Sequence, residues 1–184
     1  MDTSYTVDRS NRIMSVGGNW DAFACENGGQ SAVAQNVIGG ILFDFVEGFD
    51  TASVLNAVLF SVRSKQRPCI TTYRCDSQVE KRLFRMHVAP LLHGGIRVHH
   101  QLLSWSLIAD QPRVRPLNSE ASDHRCSVCC KVQVGEKWID LFSQPNVAYS
   151  WKSHTVCPGC KAAICADIGE RVKGELNCAG FARG

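Results

Sequence analysis

Apolar residues recur along this chain with two periods, and the points where the period changes mark its elements. Residues 1–10 are mostly polar and are expected to fray. Arg12 to Val16 alternates and ends at Gly17-Gly18, the pattern of a strand running into a turn. Asn19 is placed to cap a short helix from Trp20 to Ala24. Gly28-Gly29 and Gly39-Gly40 interrupt the chain, and Ile41 to Val46 forms a short apolar element. Asp50-Thr51 then opens the strongest helical pattern. Val54, Leu55, Val58, Leu59 and Val62 recur at spacings of three and four, so they share one face. Arg63, Lys65 and Arg67 complement the carbonyl end of that helix, and Pro68 stops it.

Beyond Pro68 the period becomes two. Cys69 to Asp76 contains the strand formers Ile70, Thr71, Thr72 and Tyr73. In Lys81–Leu91 the alternation sets Leu83, Arg85 and His87 against Phe84, Met86 and Val88. In Ile96–Trp105 it sets Ile96, Val98, His100 and Leu102 against Arg97, His99 and Gln101. Short connections between three such runs predict an antiparallel meander. Around residues 111–125 Pro112, Pro116, Asn118, Ser119 and Ser122 erase any period, which reads as a linker. Val132 to Asp140, with Gly135 inside it, predicts a hairpin. Ala162 to Leu176, with Ile164, Ile168 and Val172, predicts a helix. The expected fold class is α+β.

Composition narrows the function. The chain of 184 residues is 45% hydrophobic and 20% charged, which excludes wholesale disorder. Its net charge is +3. Residues 1–111 are balanced, so residues 112–184 hold the whole excess, too little for a dedicated nucleic-acid binder. No run approaches the length of a membrane helix. Met1 to Tyr5 lacks the layout of a signal peptide, so the expected location is cytoplasmic.

Ten cysteines are the informative excess. Cys25, Cys69 and Cys75 lie early, whereas Cys126, Cys129, Cys130, Cys157, Cys160, Cys165 and Cys178 crowd the last third. Reducing compartments disfavour disulfides, so such clustering points to metal. Cys126-Ser127-Val128-Cys129 and Cys157-Pro158-Gly159-Cys160 are two C-x2-C knuckles. Four thiolates in that spacing suit one tetrahedral zinc ion, closed to water and therefore structural. Cys130 or His154 remains able to replace one of the four, and His124 is a further alternative. Cys165 and Cys178 fall outside the spacing. Zinc would stand in for a core that a module of this size lacks.

The order strand, short helices, longer helix and three antiparallel strands resembles a PAS domain. Ile13-Met14-Ser15-Val16, Asn19-Trp20-Asp21-Ala22-Phe23-Ala24 and Ile38-Gly39-Gly40-Ile41-Leu42-Phe43-Asp44-Phe45 carry the likeness. The resemblance implies a sensor of a small molecule, cofactor or partner that often dimerises. The Asn-Cys-Arg-Phe-Leu-Gln run of the family's flavin-binding light sensors is absent. No histidine stands on the long helix, which leaves His87, His99 and His100 as haem ligands and Cys69 or Cys75 as attachment points for a chromophore. Downstream, Cys126-Ser127-Val128-Cys129, Gly135-Glu136-Lys137-Trp138 and Ser153-His154-Thr155-Val156-Cys157-Pro158-Gly159-Cys160 resemble the zinc-binding segment that follows sensory domains in bacterial signalling proteins. That implies a treble-clef or zinc-ribbon-like hairpin and helix. The resulting division is a PAS-like domain at 10–110, a linker at 111–125 and a zinc module at 126–178.

Tyr73, Arg74, Asp76 and Arg85 are the candidate ligand-binding residues of the first domain. An Asp76–Arg85 cross-strand pair is the alternative use of two of them. Trp20 and Phe23 read as core. Phosphate loops, dinucleotide fingerprints, His-Glu-x-x-His and kinase boxes are all missing, so no enzyme is expected. The expectation is a bacterial signalling protein acting as a homodimer or through a partner protein, with zinc and an unidentified small molecule as ligands. Two alternatives stand beside it. One is a DNA-binding regulator using Arg113, Arg115, Arg125, Lys131, Lys137, Lys152 and Lys161. The other is a redox sensor in which Cys129 and Cys130 oxidise and expel zinc.

Overall fold

The first strand, β1 (Asp2–Val7), occupies the stretch whose polar composition predicts fraying. Thr3, Tyr5 and Val7 alternate onto one face and are all buried. β1 pairs with β2 (Ile13–Gly18) and with the fifth strand, so it lies inside the sheet. Asp8 closes the β1–β2 turn by accepting the N–H groups of Ser10 (2.8 Å) and Arg12 (2.9 Å). The computed structural model describes residues 2–77, 80–107, 122–143 and 151–169.

Two short helices follow, α1 (Trp20–Glu26) and α2 (Ala34–Val37). Helix α3 (Phe49–Lys65) starts after Gly48 and ends at Gln66, which takes the left-handed conformation two residues before Pro68. Its predicted stripe faces inward: Val58, Leu59 and Val62 are fully buried, with Val54 and Leu55 partly so. Strands β3 (Cys69–Arg74), β4 (Glu80–Pro90) and β5 (Ile96–Leu107) form the expected meander. The sheet order is β2-β1-β5-β4-β3, all antiparallel, which leaves β3 at an edge. Val7, Val88, Ile96 and Val98 meet the α3 stripe. Each such side chain contributes about 1.5–3 kcal/mol of burial.

A second sheet contains β6 (Ser122–Cys126), β7 (Val132–Val134), β8 (Lys137–Ile139) and β9 (Trp151–Thr155), in the order β8-β7-β6-β9. β7 and β8 are the predicted hairpin. β6 and β9 pair in parallel, which no local pattern announced. β6 also takes over the last residues assigned to a linker; positions 108–121 lie outside the described residues. Helix α4 (Pro158–Gly169) begins at the second knuckle, earlier than Ala162, with proline at its first position. Its expected continuation to Leu176 lies outside the described residues, as do Cys178, Arg113 and Arg115.

The two parts share a core. Ile164 of α4 is buried among the residues of the first sheet and α3. Ser61 donates to the Ile168 carbonyl (3.5 Å), and the Lys65 ammonium bonds the same oxygen. The cysteine-bearing part thus packs along α3 and beside the β3 edge.

Candidate metal centre

Cys126 ends β6, and Cys129 follows in the turn that leads to β7. The turn is closed by Cys130 N–H donating to the Cys126 carbonyl (3.0 Å) and Cys126 N–H donating to Lys131 (2.8 Å). Cys130 takes φ +60°, and this left-handed residue reverses the chain. Cys157 follows β9, and Cys160 stands in the first turn of α4. One ligand pair therefore comes from each side of the parallel β6–β9 ladder.

The sulfurs of Cys126, Cys129, Cys157 and Cys160 all lie within 4.8 Å of one another, and Cys129 and Cys157 are 3.8 Å apart. A tetrahedral zinc ion with Zn–S bonds of about 2.3 Å requires sulfurs about 3.8 Å apart, so the donor set and its spacing fit the ion. Val128 N–H (3.4 Å) and Cys157 N–H (3.3 Å) donate to the Cys126 sulfur, as backbone amides do around a bound thiolate. Hydrogen bonds from Cys129 and Cys160 hold the Cys126 thiol far below its ordinary range. The same crowding pushes Cys129 up to about 12 and Cys160 higher still. Four sulfurs this close cannot all carry charge unless a cation sits among them. When bound, zinc would cross-link the two knuckles, and four thiolates would leave it no open position for water.

Of the alternative ligands, none joins the cluster. The Cys130 thiol turns away and donates to the Arg74 carbonyl (3.3 Å). His154 Nδ1 lies 3.1 Å from the Glu47 carboxylate, and His124 Nδ1 shares a hydrogen bond with Ser153 (2.8 Å). Cys165 sits half-buried on α4 outside the group of four.

The neighbours of the ligands grip the first turn of α3. Ser127, beside Cys126, is 2.6 Å from the Thr51 hydroxyl. Thr155 donates its hydroxyl to Asp50, and Lys161, beside Cys160, pairs with the same carboxylate at 3.1 Å. The Thr155 bond is the chief cause that holds the Asp50 carboxyl below its ordinary range. Gly48 makes this approach feasible. Its φ is +88°, and a Cβ there would lie 2.3 Å from the His154 carbonyl oxygen.

The module also caps the β3 edge. Arg74 N–H donates to the Val128 carbonyl (2.7 Å), and the Arg74 carbonyl accepts the Cys130 thiol. The Arg74 guanidinium bonds Asp76 and, at 2.6 Å, Asp140. Capping satisfies part of an edge that would otherwise offer open backbone groups to another strand.

Of the four candidate ligand-binding residues, Tyr73 and Arg74 line one groove, and Asp76 and Arg85 lie outside its lining. Arg74 and Asp76 are consumed in the ion network just described. Tyr73 faces the sheet interior, stacked on Phe84 and hydrogen-bonded to His100 Nδ1 (2.9 Å). Arg85 pairs with Thr72 in the ladder and reaches Gln101, so the Asp76–Arg85 pair is not formed. The chain leaves the ladder at Arg74, and Asp76 instead accepts the Arg82 N–H (3.1 Å). Arg82, the other arginine of this polar stretch, is buried. It donates to the Cys75 carbonyl (2.7 Å) and to Asn27 (2.6 Å), over the Phe23 ring.

Of the three histidines named for haem, only His100 points inward; burial pushes it down to about 4, so it is neutral at pH 7. His87 and His99 face each other on the outer side of the sheet. Trp20 donates to the Ala32 carbonyl (2.8 Å) and meets Tyr5 edge-on, as a core residue does. Among the basic residues proposed for DNA, Lys161 is paired with Asp50 and Arg125 lies over Trp151.

The class this defines is a mixed α+β protein with a five-stranded antiparallel sheet, a second sheet and a four-cysteine cluster that can hold a metal such as zinc. No helix among the described residues is long and apolar enough to cross a membrane. No family model and no curated protein matches the chain. Among solved structures, a domain of an HTR-like protein from Haloarcula marismortui is similar over 56% of this chain and 98% of that domain. The identity is 15% and the TM-score 0.37, a likeness too slight to bear on function.

Proposed function

We propose that the chain is a cytoplasmic bacterial signalling protein in which a PAS-like sensing domain is braced by a structural zinc module. It acts by binding a small molecule or partner rather than by catalysis, and as a homodimer. The observation that carries this reading is the four-sulfur cluster whose flanking residues Ser127, Thr155 and Lys161 hold the first turn of α3. The order of β2, the short helices, α3 and the β3–β5 meander supports the PAS-like part. With the two parts sharing Ile164 and the Arg74 contacts, a change in the first domain reaches the module through direct packing.

A native mass spectrum beside a denatured one tests this reading. The expected result is a dimer with one zinc per chain and a further bound species. A Cys126→Ser protein that stays folded without metal would overturn the structural part of the proposal.

A further inference from the structure

The four sulfurs are unequally placed. Cys126 is 0% exposed and Cys157 6%, whereas Cys129 and Cys160 are half-buried. Those two line a groove of about 400 Å³ between the β3 edge and α4. Its walls include Ile70, Thr72, Val128 and Ile164. A small uncharged oxidant entering there meets these two sulfurs first. Cys130 is not among the groove's lining residues; it is buried with its thiol on the Arg74 carbonyl.

Taking the zinc reading above as its basis, we infer that Cys129 and Cys160 are the peroxide-reactive pair of this protein and form a disulfide that releases the metal. The step balances with peroxide as the oxidant. One thiolate of the pair attacks a peroxide oxygen: an S–O bond forms, the O–O bond breaks, and the departing hydroxide takes a proton to become water. The second thiolate attacks the resulting sulfenic sulfur: the S–S bond forms, and the expelled hydroxide takes a second proton. Two thiolates lose two electrons, peroxide gains them, and two waters leave. The sulfurs already lie within 4.8 Å, so closure to bonding distance needs only local movement. Cys126 and Cys157 alone cannot complete a tetrahedral site, so zinc departs. The new bond would tie the turn that caps β3 to the first turn of α4.

The test treats the full chain with a small excess of hydrogen peroxide, follows zinc with a chromophoric chelator, and maps disulfides by mass spectrometry. The expected result is loss of one zinc per chain, loss of two hydrogens, and a linked pair of peptides carrying Cys129 and Cys160. A Cys130→Ser variant should respond identically. Linkage through Cys126, Cys157 or Cys130, or zinc retained at that dose, overturns the inference. A protein that carries no zinc before treatment overturns the metal reading instead, and the identity of the linked pair still decides this one.

Discussion

Replacing Asp50 by alanine removes the carboxylate through which the cysteine-bearing part holds α3. It accepts the Thr155 hydroxyl and pairs with Lys161 at 3.1 Å, with side chains 32% and 23% exposed for Asp50 and Lys161. A hydrogen bond to a charged group is worth about 1.5–3 kcal/mol net. The partly exposed ion pair adds at most about 1 kcal/mol. An acidic residue in a first helical turn adds about 0.3–1 kcal/mol. These terms share one carboxylate and overlap, so the expected loss at pH 7 is about 2–3 kcal/mol. With a urea slope of about 2 kcal/mol per molar, the midpoint should fall by roughly 1–1.5 M. The assay is a urea titration at fixed free zinc, followed by tryptophan fluorescence. Because α3 and α4 share one core, the variant and the parent should each unfold in a single transition. A fall under about 0.5 kcal/mol with zinc still bound would refute the clamp, and so would a parent that unfolds in two separated steps.

Arg74→Leu should cost about 3–5 kcal/mol in the same assay, because it withdraws the guanidinium from Asp76, whose side chain is 0% exposed. Gly48→Ala should destabilise by more than about 1 kcal/mol, as it combines positive φ with a clash against His154; Gly159→Ala, which meets open space, should be near neutral and keep the zinc. Leu59→Ala, at a fully buried position, should cost about 2–5 kcal/mol in thermal or urea melts. His100 should titrate near 4 by NMR. Its folded value lies below the unfolded one, so the protein binds fewer protons folded than unfolded between about pH 6.5 and 4. The stability His100 confers is present above that window and declines as pH falls through it. A ring titrating near 6.5 would contradict its placement between Tyr73 and Tyr5.

Helix α3 and the β3–β5 meander were legible because each has an unbroken period: Val54 to Val62 in one, and Phe84, Val88, Ile96 and Val98 in the other. β1 was obscured because Thr3 and Tyr5 fill inward positions that hydropathy alone scores as polar. The four cysteines were legible from spacing, yet the choice between Cys129 and its neighbour was not. It is settled by the left-handed backbone at Cys130, which sends that thiol to Arg74. The Asp76–Arg85 expectation failed because extrapolating a strand two residues too far changes every partner. Contacts across long separations, such as Thr51 with Ser127 or Asp50 with Thr155, leave no periodic trace, so the docking of the module on α3 is visible only in the folded structure.

Cobalt substitution tests the central claim most directly. Cobalt(II) reports both coordination number and ligand type in its visible and near-ultraviolet spectrum, and it occupies zinc sites of this kind. One equivalent added to metal-free protein should give the intense visible bands of a tetrahedral ion together with strong thiolate charge-transfer absorption. Both should saturate at one ion per chain and be displaced by zinc. Weak octahedral bands without thiolate charge transfer, or no saturable binding at all, would contradict a metal centre built from Cys126, Cys129, Cys157 and Cys160.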